Sequence, residues 1–118
     1  MYTLGINLYH ADSSACIFKN GELIAAAEEE RFIRKKHWAG VPFKSIQFCL
    51  DSCSIKIDDI NFITVNSNIY SNFFNKINYI VKNPNLSFLL SALKRRKKKA
   101  NLQNLLREHF DTKKKFKI

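Results

Sequence analysis

Asn20-Gly21-Glu22-Leu23-Ile24-Ala25-Ala26-Ala27-Glu28-Glu29-Glu30-Arg31-Phe32-Ile33-Arg34-Lys35-Lys36-His37 carries the decision about the fold. Asn-Gly is the dipeptide that a two-residue hairpin turn selects, because both central residues need positive φ. The apolar run Leu23–Ala27 after it reads as a strand. From Glu28 to His37 the chain then carries three carboxylates, two guanidiniums, two ammoniums and an imidazole. A backbone that leaves a core strand into such dense charge can build a binding site for a highly charged ligand. It can also be a solvated helical turn with pairs such as Glu30 and Arg34 at i,i+4, each contributing a few tenths of a kcal/mol.

The preceding residues supply the strands that this hairpin needs. Leu4, Ile6 and Leu8 alternate with Thr3, Gly5 and Asn7, the period-two pattern of a strand with one buried face. His10-Ala11-Asp12-Ser13-Ser14 breaks the alternation with turn-forming residues, and Ala15–Phe18 resumes it. Two successive hairpins predict an antiparallel meander. After a loop at Trp38–Pro42, the residues Phe43, Ile46, Phe48, Cys49, Leu50 and Cys53 recur at helical spacing, so a short amphipathic helix is expected over Phe43–Cys53. The β-branched and aromatic run Ile60–Asn66 follows as a fourth strand, reached by a crossover that predicts parallel pairing.

Past Asn66 the character changes. The chain of 118 residues has a net charge of +10. Residues 1–66 hold 7 Lys/Arg against 8 Asp/Glu, whereas residues 67–118 hold 13 against 2. Tyr70, Phe73, Phe74, Ile77, Ile80 and Val81 form a helical stripe ended by Asn83-Pro84. A second helix is expected over Leu86–Leu93, leading into the cluster Lys94–Lys99. A third stripe, Leu102, Leu105, Leu106, His109 and Phe110, precedes Lys113–Lys117. The expectation is two segments: residues 1–66 as the start of an α/β domain, and residues 67–118 as a basic, helical and peripheral excursion.

Composition narrows the class. A hydrophobic fraction of 46% with 10 Phe, 4 Tyr and 1 Trp belongs to a folded chain, and the length allows one modest core. Cys16, Cys49 and Cys53 are odd in number and form no Cys-x-x-Cys pair, so they read as reduced, packed thiols. The N-terminus lacks a basic region followed by a long apolar run, and no window approaches ~18 uninterrupted apolar residues. A cytoplasmic location without a membrane association is expected.

The wording selects one family. Leu4-Gly5-Ile6-Asn7, His10-Ala11-Asp12-Ser13-Ser14-Ala15, the stretch from Asn20 to His37, and Pro42 leading to Ile46-Gln47-Phe48-Cys49-Leu50 resemble the N-terminal segment of the O-carbamoyltransferases, which include nodulation and antibiotic-tailoring enzymes. The resemblance covers about residues 3–66. It implies the first part of an actin-like (ribonuclease H-like) α/β domain. It also implies ATP-dependent transfer of a carbamoyl group from carbamoyl phosphate, through carbamoyl adenylate, to a hydroxyl of a sugar-like or antibiotic acceptor. ATP and iron(II) are implied for the complete enzyme, the iron held by a later His-x-x-x-His segment. Only His10, His37 and His109 occur here, so no metal ligand is assigned, and the chain is expected to be a fragment, inactive without the remainder of the enzyme.

Carried residue by residue, the resemblance implies His10 as the catalytic base, a role that suits an imidazole with an ordinary pKa of ~6.5. It implies Lys36 as the contact to carbamoyl adenylate, with Lys35 as the rival because no alternation fixes which one points inward. Glu28 matches an acceptor-contacting carboxylate. Asp12 could line the acceptor side, and Ser13, Arg34 and Lys35 could contact phosphate. A different class also fits the second half: a basic nucleic-acid-binding or partner-dependent module. Nucleic acid is not expected, since Lys outnumbers Arg 15 to 5 and Asn reaches 12, a bias that solvated surface positions accumulate.

Overall fold

The computed structural model describes residues 1–66 and 101–118. The helices expected over Tyr70–Val81 and Leu86–Leu93, and the cluster Lys94–Lys99, lie outside the described residues. Three strands, β1 (Tyr2–Asn7), β2 (Ser14–Lys19) and β3 (Glu22–Glu28), form the antiparallel meander. Its second turn is the Asn-Gly hairpin, with φ of 54° at Asn20 and 90° at Gly21, values that a type I′ turn needs and that Gly21 adopts without steric cost. After the single helical turn α1 (Glu30–Ile33) and the helix α2 (Phe43–Ser52), the chain enters β4 (Phe62–Val65), which pairs parallel with β1. The sheet order is β3-β2-β1-β4.

The period-two pattern sorts the two faces as expected. Leu4, Ile6, Leu8, Ala15, Ile17 and Ile63 point into one core, which α2 covers with Ile46, Cys49 and Leu50. Burying each such aliphatic side chain contributes roughly 1.5–3 kcal/mol relative to exposure. The opposite face carries Gly5, Cys16, Ala26 and Thr64 in one cross-strand row. Gly5 is required there by close approach, because a Cβ at this position would lie 2.7 Å from Cys16 Sγ.

The expectation that the second half is peripheral is corrected by residues 101–118. Helix α3 (Leu102–His109) buries Leu102 and Leu106 in the core of the sheet, and Phe116 joins them. The His109 ring stacks on Phe43 of α2 at a centroid distance of 3.9 Å. Beyond α3, Thr112 Oγ1 donates to the Asp58 carboxylate, and Lys114 Nζ donates to the carbonyls of Asp58 and Ile60. Ile63 N–H donates to the Lys117 carbonyl at 2.9 Å, and Lys117 bridges Phe62 in parallel, beside the outer edge of β4. Lysine content suggested a solvated tail. Instead the alternate residues Thr112, Lys114 and Phe116 turn inward while Lys113, Lys115 and Lys117 stay exposed. Among the described residues, no helix is long and apolar enough to cross a membrane.

Candidate functional site

Two loops meet at the end of the sheet where β1 stops and β2 begins. The first runs from Leu8 to Ser13 and the second from Arg34 to Gly40. Backbone bonds interlock them: Tyr9 N–H donates to the Gly40 carbonyl at 3.2 Å, and Ser13 N–H to the Trp38 carbonyl at 3.0 Å. Ser13, only 1% exposed, is the hub. Its Oγ accepts from Gly40 N–H at 3.1 Å, and its single proton can go to the carbonyl of Gly40 at 3.0 Å or of His10 at 3.2 Å. Buried polar groups keep such partners because an unmade bond costs about 1–3 kcal/mol.

Glu29 performs the matching task on the other side. Its carboxylate, 3% exposed, accepts from Lys44 N–H at 3.2 Å, Ser45 N–H at 2.8 Å and Ser45 Oγ at 2.8 Å. Those amides open α2, where four N–H groups lack partners inside the helix and the dipole favours negative charge. The Glu29 N–H in turn donates to the Ser13 carbonyl at 2.9 Å. One carboxylate therefore ties β3, the Ser13 loop and α2 together. Sequence reasoning singled out Glu28 as an acceptor contact, gave Glu29 no role of its own, and missed this. The available signal was the position of Glu29 at the boundary between the alternating strand and the helical turn, where the inward-facing parity continues.

The remaining charged residues take separate positions. The expected Glu30–Arg34 pair does not form among the described contacts: Glu30 Oε2 accepts from His37 N–H at 3.4 Å, and Arg31 pairs with Glu28 at 3.7 Å. Arg34 ends α1 in the left-handed region, with its N–H on the Glu30 carbonyl. Lys35 leans over the Trp38 ring, its Nζ 5.3 Å from the centroid, the geometry of a cation–π contact. Lys36 is exposed. His37 Nδ1 meets Asp12 Oδ1 at 3.0 Å, which joins the two loops by a side-chain pair as well. His10 is exposed, with Nδ1 3.2 Å from the Ala11 carbonyl. A carbonyl only accepts, so in the neutral ring this contact selects the tautomer with its proton on Nδ1 and its lone pair on Nε2.

Left-handed backbone concentrates here: Tyr9, Asp12, Arg34 and His37 have φ of 54°, 63°, 55° and 54°. Such conformations are uncommon for residues with a Cβ and persist where surrounding bonds fix them. The structure thus brings His10, Asp12 and Ser13 together with the Lys35–His37 loop. Glu28 stands apart, at the end of β3 opposite Ser14. There it lines a cavity of about 820 Å³ with Asn7, Cys16, Arg31, Phe32 and Asn66. Among the described residues, no three His, Cys, Asp or Glu side chains gather where they could hold a metal ion.

The thiols follow burial. Cys49 is buried between α2 and the sheet, and desolvation, reinforced by Cys16 and Cys53, pushes it up to about 12. Burial also raises Cys16 and Tyr9. All three cysteines are free, and burial moves Cys16 and Cys49 in the direction opposite to that of an activated nucleophile.

Comparison with known proteins agrees with the wording of the sequence. The family described as carbamoyltransferase N-terminus matches residues 2–116. The nodulation protein NolNO of Sinorhizobium fredii is 40% identical over 57 residues, 48% of this chain and 8% of that protein. Uncharacterized proteins of Synechocystis sp. and of Methanocaldococcus jannaschii are 42% and 44% identical over 62 residues, 52% of this chain and 10% and 12% of theirs. The aligned stretch is thus about a tenth of the length of these relatives. With the family match spanning nearly all of its residues, the chain belongs to the carbamoyltransferase N-terminal family.

Proposed function

We propose that this chain supplies the hydroxyl-activating edge of an ATP-dependent O-carbamoyltransferase and is the first part of its actin-like domain. The observation that carries the reading is the interlock of the Leu8–Ser13 and Arg34–Gly40 loops by backbone and side-chain bonds, which ties the segment that bears His10 to the one that bears Lys35 and Lys36. The sheet order β3-β2-β1-β4, with a further parallel contact at Lys117, supports the actin-like assignment.

Carbamoyl adenylate presents a carbonyl carbon bonded to a phosphate oxygen. In this reading the acceptor hydroxyl adds to that carbon while His10 Nε2 takes its proton. The carbon–oxygen bond to phosphate then breaks, and AMP leaves with the electron pair. A base matched to neutral pH is worth roughly 10²–10⁴-fold in such a step. Lys36 and Arg34, on the loop that Ser13 anchors, hold the phosphate negative charge, Lys36 as a point charge and Arg34 through its fork. Lys35 is the weaker candidate for that contact, because its ammonium already lies over Trp38. Asp12 and Glu28 bind acceptor hydroxyls.

The test uses a chimera in which residues 2–66 replace the matching segment of NolNO, supplied with carbamoyl phosphate and ATP. Carbamoyl-phosphate-dependent pyrophosphate release reports adenylate formation, and labelled carbamoyl transfer reports the second step. His10→Asn should keep pyrophosphate release and lower transfer at least 100-fold, whereas Lys36→Met should weaken both. Transfer at the unmutated rate in His10→Asn would overturn the role of His10.

A further inference from the structure

Lys36 makes no bond of its own among the described residues, and its backbone and that of Lys35 belong to neither helix nor strand. Its place therefore depends on its neighbours. Lys35 lies over the Trp38 ring, and His37 is held twice. The His37 N–H donates to Glu30 Oε2 at 3.4 Å, and its Nδ1 meets Asp12 Oδ1 at 3.0 Å. Both partners are themselves fixed. Glu30 opens α1, where its carbonyl accepts from Arg34 N–H at 2.8 Å. The Asp12 carbonyl accepts from Asn7 Nδ2 at 3.0 Å, and Asn7 Oδ1 accepts from Asn66 Nδ2. A path of bonds thus runs from the residue after β4, through the end of β1 and the Asp12 turn, to the residue after Lys36.

Stability is not what the His37–Asp12 pair supplies. The two side chains are 76% and 49% exposed, and an ion pair so placed adds little to the free energy of folding. Both of its ends are nonetheless left-handed, with φ of 54° at His37 and 63° at Asp12. Residues with a Cβ keep that conformation only where surrounding bonds determine it. An ionised carboxylate only accepts, so the ring donates through Nδ1–H whether it is neutral or protonated, and the contact holds in both states. What the pair contributes is geometry, applied one residue away from the Lys36 ammonium.

We propose that His37 is a positioning residue: through its bonds to Asp12 and Glu30 it sets Lys36 for the phosphate of carbamoyl adenylate. A side chain on a long flexible stem meets a transferring phosphate productively only when its backbone is placed, and small misplacements cost rate far more than they cost stability. Asp12 Oδ1 serves His37, and Oδ2 is left for the acceptor hydroxyl. The inference rests on the proposed phosphate role of Lys36 and adds to it the group that makes the role possible.

The test uses the NolNO chimera and its carbamoyl-phosphate-dependent pyrophosphate release. His37→Leu keeps the bulk and removes the donor, and release should fall about tenfold. His37→Asn puts an amide donor where Nδ1 stood and tolerates left-handed backbone, so it should return release to near the parent rate. On a Lys36→Met background His37→Leu should cost nothing further, because a residue that acts through Lys36 then has nothing to position. A second loss of the same size on that background would overturn the inference alone, as would parent-like release in His37→Leu or an Asn variant as poor as the Leu variant. Parent-like release in Lys36→Met would instead overturn the phosphate role of Lys36, and this inference with it. Independently of activity, ¹⁵N relaxation of the 118-residue chain should show the Lys36 amide losing order in His37→Leu and keeping it in His37→Asn. Unchanged order in His37→Leu would overturn the positioning role.

Discussion

Replacing Glu29 by alanine deprives the first turn of α2 of its acceptor. Two backbone amides, Lys44 N–H and Ser45 N–H, and the Ser45 hydroxyl lose their partner in a site that is 3% exposed. The hydroxyl can turn elsewhere; the amides cannot. At about 1–3 kcal/mol for each orphaned buried group, with part recovered by water entering the vacated volume, the loss is about 2–4 kcal/mol. That is a large fraction of the ~5–15 kcal/mol that holds an ordinary domain folded. With a urea m-value of about 1–3 kcal/mol/M, the unfolding midpoint should fall by roughly 1–2 M. Far-UV circular dichroism, with Trp38 fluorescence as a second probe, measures it. Glu29→Gln keeps the shape and one acceptor oxygen but points an amide toward donors, and should lose about half as much. In a double-mutant cycle, Glu29→Ala and Ser45→Ala should couple by at least ~0.5 kcal/mol, because they share one bond network. A Glu29→Ala midpoint indistinguishable from the parent protein would refute the claim that this carboxylate caps α2.

Gly5→Ala should destabilise by about 1–3 kcal/mol through the 2.7 Å approach to Cys16 Sγ, and Cys16→Ala in the same chain should restore most of the loss in urea unfolding. Cys49 has its pKa pushed from 9.0 to about 12 in the fold. Between these values the unfolded thiol gives up its proton first, so stability should fall as pH rises from 9 toward 12. The slope approaches ~1.4 kcal/mol per pH unit, and Cys49→Ala should flatten it. Lys114→Met frees the carbonyls of Asp58 and Ile60. At ~1 kcal/mol for such surface-accessible bonds, hydrogen exchange at Ile63 N–H, which is bonded to Lys117, should quicken several-fold while Leu4 stays protected.

Strand positions were legible because alternation is a local property. Leu4, Ile6 and Leu8 must share one face of any strand, and Asn20-Gly21 admits few structures other than a tight hairpin. The helix over Phe43–Ser52 was legible for the same reason, since its apolar spacing and Pro42 act within a few residues. The family was legible through word order, which local physics constrains little. The charged stretch was not resolved in this way. Local pattern alone does not separate Glu28, Glu29 and Glu30, and the structure gave them three fates: a cavity wall, a buried cap and a bond to the His37 backbone. The choice depends on where α2 packs against the sheet, which is set by residues 15 or more positions away.

The same distinction separates the rest. Sequence by itself determined the meander, the crossover to a parallel fourth strand, and the presence of an imidazole and an acid just after the first strand and of two lysines some residues after the third. Tertiary structure decided that Ser13 is a buried hub rather than an exposed hydroxyl, that Lys35 is occupied by Trp38 while Asp12 pairs with His37, and that residues 102–117 complete the core. Those outcomes depend on bonds between segments far apart in the chain. Only closure of the core fixes which polar group is shut away from water and must therefore find a partner.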